Sequence, residues 1–229
     1  MTEAKSAKLP FRRLIVAVIA SPGDFDRATR LRRLPDLFEV RLDALSERAG
    51  ELSRSLDRLR APLIITARHP AEGGQNALSA ARRGALLLEF LPRARYVDIE
   101  LRSVGPLAAV VAEARRLEVQ LIISAHDFRC TPEIGDLRTL AARARAASAD
   151  IFKLATRVET SADLARLIAG FEALKTELPV SAMGIGALGR QARRALLARG
   201  SVLNYAHLGT TQVEGQFSLT ELRRLASCR

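Results

Sequence analysis

The chain has 229 residues, 48% of them hydrophobic and 27% charged, which fits one soluble globular domain with a sizeable core. Its formal net charge of +11 suits nucleic acid, an anionic membrane face or an anionic small molecule, yet only 4% of residues are aromatic and Trp is absent, so base-stacking platforms are scarce. Cys130 and Cys228 form neither a disulfide framework nor a metal-ligand spacing, which points to a reducing cytoplasm, and no apolar run approaches membrane-spanning length.

Residues 1–12 read as a polar tail, and 13–229 as one domain. Arg12-Arg13 followed by the apolar run 14–20 loosely imitates a signal peptide, but the run is short and a dozen polar-tail residues precede it. The run is therefore expected to be a first buried strand. Further strands are expected at 38–42, 63–67, 96–101, 120–125, 151–155, 180–183 and 202–205. Helical patterns follow, among them 76–91, 104–117, 132–147, 161–174 and 191–199. Thr131-Pro132 and Thr160-Ser161, with Asp163 in the first turn, mark helix starts. The strands are nearly all apolar, as a parallel sheet covered on both faces requires. Eight β-then-α units predict an α/β chain folded as a (β/α)₈ TIM barrel in a single domain. A doubly wound sheet would carry a glycine-rich phosphate turn after its first strand, and Ser21-Pro-Gly-Asp24 does not match one.

Only four of the 36 basic residues are lysines, and Lys153 lies in the apolar run Ile151-Phe-Lys-Leu-Ala155. A lysine kept where arginine serves everywhere else suggests a need for an amine, because a desolvated ammonium gives up its proton and a guanidinium does not. A neutral amine can attack a carbonyl to form a Schiff base. The alternative is a strand-end lysine that snorkels to water. The neighbouring strand ends favour the amine. Glu39 and Arg41 close strand two, Thr66 and Arg68 strand three, and His126 strand five, with Glu72-Gly-Gly74 in the loop after strand three. A barrel builds its active site at this face. Asp98, Glu100 and Asp43 also fit paired core charges. His69 reads as a loop residue at the rim, and nothing requires His207 to face the pocket.

Together these segments resemble the type I 3-dehydroquinate dehydratases. The matching residues are Glu39-Val-Arg41 with Asp43, Thr66-Ala-Arg68 with Glu72-Gly-Gly74, Asp98-Ile-Glu100, Ser124-Ala-His126-Asp-Phe128, Asp150-Ile-Phe-Lys153, Met183-Gly184, Gly200-Ser201 and Gly215-Gln216. The resemblance implies a hydro-lyase of the shikimate pathway that needs no cofactor and no metal. In it Lys153 forms the Schiff base, His126 is the general acid and base, and Glu72 orients the histidine. Glu39, Arg41 and Arg68 match substrate-binding positions, and Gln216 a loop contact. Aligning Leu188-Gly189 with the family's Leu-Gly makes Arg193, not Arg190, the carboxylate clamp. A homodimer is also implied.

Three departures stand out. The family's Ser-Ala-Pro-Gly-Gln loop reads Gln212-Val-Glu-Gly-Gln216 here, and Gln212 is expected to supply the missing serine's hydrogen bond while Glu214 brings a negative charge near an anionic ligand. Ala192 replaces a serine, and Ala67 an aromatic residue. Alternatives are a Schiff-base aldolase on a related barrel and a non-catalytic sensor of a ring carboxylate. The arginines argue against a sugar phosphate, and the lysine, histidine and glutamate set against mere binding. Neither a nucleic-acid partner nor a membrane is expected.

Overall fold

The computed structural model describes residues 13–227, so the polar tail, with Lys5 and Lys8, and Cys228 lie outside the described residues. Eight strands follow one another as β1 (Leu14–Ile19), β2 (Leu37–Arg41), β3 (Leu63–Thr66), β4 (Tyr96–Glu100), β5 (Gln120–Asp127), β6 (Ile151–Arg157), β7 (Val180–Ile185) and β8 (Leu203–His207). A two-residue β9 (Phe217–Ser218) sits beyond β8. All pairings are parallel, in the order β7-β6-β5-β4-β3-β2-β1-β8-β9, so the first strand lies beside the eighth and the sheet curls. Eight helices alternate with the strands: α1 (Pro22–Thr29), α2 (Ala49–Ser55), α3 (Ala80–Phe90), α4 (Ala108–Arg116), α5 (Ile134–Ala146), α6 (Ser161–Leu174), α7 (Gly189–Arg199) and α8 (Leu219–Ser227). The expected TIM-barrel-like (β/α)₈ architecture is present. No described helix is long and apolar enough to cross a membrane.

Two separate apolar clusters explain why the strands read as nearly continuous apolar runs. One fills the barrel interior, with Val16, Leu37, Ile64, Ile122, Ile151 and Leu203. The other lies between strands and helices, where Phe38, Ile65 and Phe152 meet Leu87, Phe90 and Phe171. Side chains alternate between these two environments along each strand, and both are buried.

The element boundaries differ from expectation for local reasons. β5, β6 and β7 each run two residues past the expected end, because Asp127, Thr156, Arg157 and Ile185 still pair across the ladder. The pattern 76–91 starts late as a helix because Asn76 and Ala77 adopt positive φ, and Ser79 caps the helix by accepting from Arg82 N. Thr131 does not start a helix. Its hydroxyl donates to Arg157 O at 2.7 Å and meets the Thr156 hydroxyl at 3.0 Å. Thr160 does cap α6, in a reciprocal box with Asp163.

β7 and β8 share no ladder among the described residues. They are joined by Val202 N on Val180 O at 3.0 Å and by two buried serines. Ser201 Oγ accepts from Ala182 N at 3.0 Å and donates to Ala182 O at 3.2 Å, and Ser181 Oγ donates to Leu203 O at 2.7 Å. These hydroxyls do the work of strand pairing across the seam. Ser201→Ala leaves a buried amide and carbonyl unpaired, so urea unfolding is expected to show a loss of about 1–3 kcal/mol. An unchanged midpoint would mean that apolar packing alone holds the seam.

Candidate active site

Inside the barrel the strands change from apolar to charged in steps of two residues. Leu37 gives way to Glu39 and Arg41, Ile64 to Thr66 and Arg68, Ile122 to Ser124 and His126, and Ile151 to Lys153. Residues two apart share a face, so polar groups collect above the apolar floor at the C-terminal ends of the strands. There they line a cleft at that end of the barrel, the kind of concave site in which a small metabolite binds. Glu39, Arg41, Arg68, Glu72, His126, Lys153, Arg193, Gln212 and Gln216 all line it.

Lys153 is 4% exposed, which excludes the snorkelling alternative. Its Nζ donates to Asp98 Oδ2 at 2.8 Å and to Glu39 Oε1 at 3.3 Å, and lies 4.1 Å from the centre of the Tyr205 ring. Thr66 Oγ1 donates to the same Glu39 oxygen at 2.9 Å. Arg68 forks onto Asp98 at 2.9 and 2.8 Å and reaches Glu100 Oε1 at 3.2 Å. Burial alone would raise the Asp98 carboxyl, but Arg68 and Lys153 hold it well below the usual carboxylate range. Burial likewise opposes charge on Arg68, and Asp98 and Glu100 outweigh it.

Glu72 reaches the histidine from the loop after β3. Its Oε2 accepts from His126 N at 3.1 Å and sits 2.9 Å from His126 Nδ1. With Nδ1 as the donor, Nε2 becomes the ring's basic nitrogen, a tautomer assigned from this bond. Burial raises Glu72 to about 7. Burial, Arg68 and Lys153 lower His126 well below its ordinary value, so the imidazole is neutral near pH 7. The tight turn depends on Gly74, where an added Cβ would lie 2.1 Å from Arg68 O. Arg41 grips Asp43 at 3.0 and 2.7 Å and donates to Gly73 O at 3.1 Å. Asp43 also accepts from Arg68 N and Gln75 N, which fixes the base of the loop.

Arg193 is buried at the cleft wall. Its Nε donates to Gly184 O at 2.9 Å, and among the described residues no carboxylate pairs with it. Burial lowers it to about 10. Arg190 is exposed instead, bonded to Glu221 at 2.7 Å and lying over the Phe217 ring. Gln216 Oε1 accepts from Gln212 N at 2.8 Å, which closes the last loop on itself. Gln212 Nε2 donates to Thr210 O at 3.1 Å, whereas Glu214 is exposed and does not line the cleft. His69, His207 and the exposed Cys130 do not line it either.

Sequence reasoning missed Tyr205 and, while placing Asp98 both in the matching segments and among possible core pairs, gave it no contact with the lysine. Tyr205 carries a weak signal, a buried phenol on an apolar strand whose hydroxyl has no partner among the described residues. Asp98 is indeed core-paired, but the same carboxylate also holds Lys153.

The sequence model of type I 3-dehydroquinase matches residues 17–229. The 3-dehydroquinate dehydratase of Methanosarcina mazei is 31% identical over 241 residues, covering 98% of each chain. That of Desulfotalea psychrophila is 34% identical over 196 residues, covering 82% of this chain and 84% of its own. Among solved structures, 3-dehydroquinate dehydratase from Geobacillus kaustophilus superposes with a TM-score of 0.82 at 26% identity, covering 94% of this chain and 90% of its own. The type I enzyme from Clostridium difficile, solved with covalently modified comenic acid, gives 0.81 at 25% identity, covering 94% and 91%. In sequence and architecture alike, the chain belongs to the type I 3-dehydroquinase family.

Proposed function

We propose that this chain dehydrates 3-dehydroquinate to 3-dehydroshikimate through a Schiff base on Lys153. The observation that carries this reading is one cleft that holds a buried lysine, a carboxylate-paired histidine and a buried arginine with no anionic partner among the described residues. In this scheme the amine adds to the C3 carbonyl, and loss of water leaves an iminium. The ammonium gives up one proton before it attacks and the iminium restores the positive charge, so Asp98 and Glu39 face a cation before and after the addition. As an electron sink it acidifies the C2 hydrogen, which His126 Nε2 removes. The resulting enamine expels the C1 hydroxyl as water with the proton from His126. Hydrolysis of the second iminium consumes one water and frees the product, for a net loss of one. Glu72 holds the imidazole in its working tautomer. Glu39, Arg41 and Arg68 bind the ring and its hydroxyls, Gln212 and Gln216 complete the wall, and Arg193 grips the carboxylate in a planar fork. The same reading includes a cytoplasmic homodimer, supported by the family resemblance and by the absence of a cysteine framework.

Borohydride reduction with 3-dehydroquinate present is expected to fix an adduct on Lys153, located by peptide mass spectrometry, and Lys153→Ala to abolish both adduct and turnover. Binding without adduct or turnover would favour the sensor reading. Arg193→Ala is expected to raise KM by roughly 100-fold, the scale of a lost buried charge pair, while Arg190→Ala stays near wild type. The reverse pattern would make Arg190 the clamp.

The pH profile follows from the Glu72–His126 pair. The pair takes up its first proton at about 7, so kcat/KM is expected to fall as pH drops through that value. In Glu72→Gln no carboxylate accepts that proton or supports an imidazolium, so the acid limb moves below the ordinary histidine value of about 6.5. A limb that does not move would separate Glu72 from the proton transfer.

A further inference from the structure

Arg83 belongs to helix α3, outside the barrel, yet it is 1% exposed and does not line the cleft. Its Nη1 donates to Glu100 Oε2 at 2.9 Å and to Ala67 O at 3.2 Å, and its Nη2 donates to Ser103 Oγ at 3.1 Å. The other oxygen of Glu100 accepts from Arg68 Nη1 at 3.2 Å and from His69 N at 2.8 Å. Arg68 then forks onto Asp98, whose Oδ2 also receives Lys153 Nζ. A line of alternating buried charges thus runs from the outer helix to the amine.

The line has a direction set by its distances. Glu100 is pulled more closely by Arg83 than by Arg68, and Arg68 is committed to Asp98 through both of its terminal nitrogens. With Arg83 absent, Glu100 would keep one cation, and that cation is the one that fixes Asp98. A buried carboxylate that loses its nearer partner draws the other toward itself or takes up a proton. Either response loosens Arg68 from Asp98 and leaves Asp98 to Lys153. Arg83 also holds the carbonyl of Ala67, the residue just before Arg68, so it fixes the backbone as well as the charge.

We propose that Arg83 is a positioning residue for the reaction, holding Glu100 and the Ala67 carbonyl so that Arg68 and Asp98 keep the Lys153 amine poised for attack. The proposal rests on the Schiff-base reading of Lys153. A merely structural ion pair would affect stability and leave turnover of the folded enzyme intact.

The test compares Arg83→Met and Arg83→Lys with wild type, with circular dichroism to verify folding, steady-state kinetics on 3-dehydroquinate, and rapid borohydride quenching to time the Lys153 adduct. For Arg83→Met, kcat is expected to fall roughly tenfold or more with KM changed less than about threefold, the signature of support given to the reacting state and not to ground-state binding. Adduct formation slows in proportion. Arg83→Lys keeps the charge on Glu100 and is expected to recover most of the lost kcat.

A folded Arg83→Met with wild-type kcat and adduct rate would overturn the proposal. So would failure of Arg83→Lys to recover activity, which would assign the effect to guanidinium packing alone. If Arg83→Met does not fold, Arg83→Gln decides, since it keeps a donor toward the Ala67 carbonyl and removes only the positive charge facing Glu100. A kcat loss of similar size supports the relay, and wild-type turnover overturns it. A wild-type enzyme that forms no adduct would instead sink the Schiff-base reading.

Discussion

The arrangement that the interior depends on is a balanced set of buried charges. Lys153, Arg68 and Arg83 supply three cations, and Glu39, Asp98 and Glu100 three anions, all linked by the contacts described. Taking one such ion out of water costs several kcal/mol unless its partners are close and well directed. Removing any single member therefore exposes the others to an uncompensated field. This constraint accounts for the layering of the barrel, in which an apolar floor below keeps water from the charges and the strand registers set the charges at matching heights. It also suits the chemistry, because an iminium replaces an ammonium without altering the sum.

The cleft's far wall is built differently, from close backbone approach. Gly215 has φ +85°, and an added Cβ there would lie 2.9 Å from the Gly189 Cα. The last loop thereby rests against the start of α7, the helix that carries Arg193. Ala192, which stands where the family has a serine, packs on Gly184, the residue whose carbonyl holds Arg193. The altered loop sequence is accommodated because Gln212 and Gln216 bond to each other and Glu214 turns outward. The negative charge that the sequence brings to this loop is thus carried outside the cleft.

Much of the fold was legible because a strand buried on both faces has no solvent side to record, so an apolar run of five or so residues announces it. The strand-end polar residues were legible for the complementary reason: a charge among apolar neighbours has few uses. Arg83 was hidden because an arginine on a helix normally marks a solvated face, and Arg82 beside it is exposed, as that reading assumes. Pairing past the last apolar residue hid the true ends of β5 and β6, since a ladder depends on backbone groups that the side-chain pattern does not report. The choice between Arg193 and Arg190 rested on alignment alone, and packing separates their surroundings: one is buried beside the cleft, the other engaged with Glu221 at the surface.

The open seam between β7 and β8 also bears on how the barrel is completed during synthesis. Among the described residues β8 forms no ladder with the strand just before it. It docks on β1 instead, where Leu14 faces Leu203 across nearly the whole length of the chain. Closing so long a loop carries an entropic cost that grows slowly with length but is met only once the distant partner is in position. Tyr205 and Gln216 come from this final portion, so Lys153 lacks part of its enclosure until the last strand has joined the first. A nascent chain stopped short of β8 would present the barrel's charged interior to water.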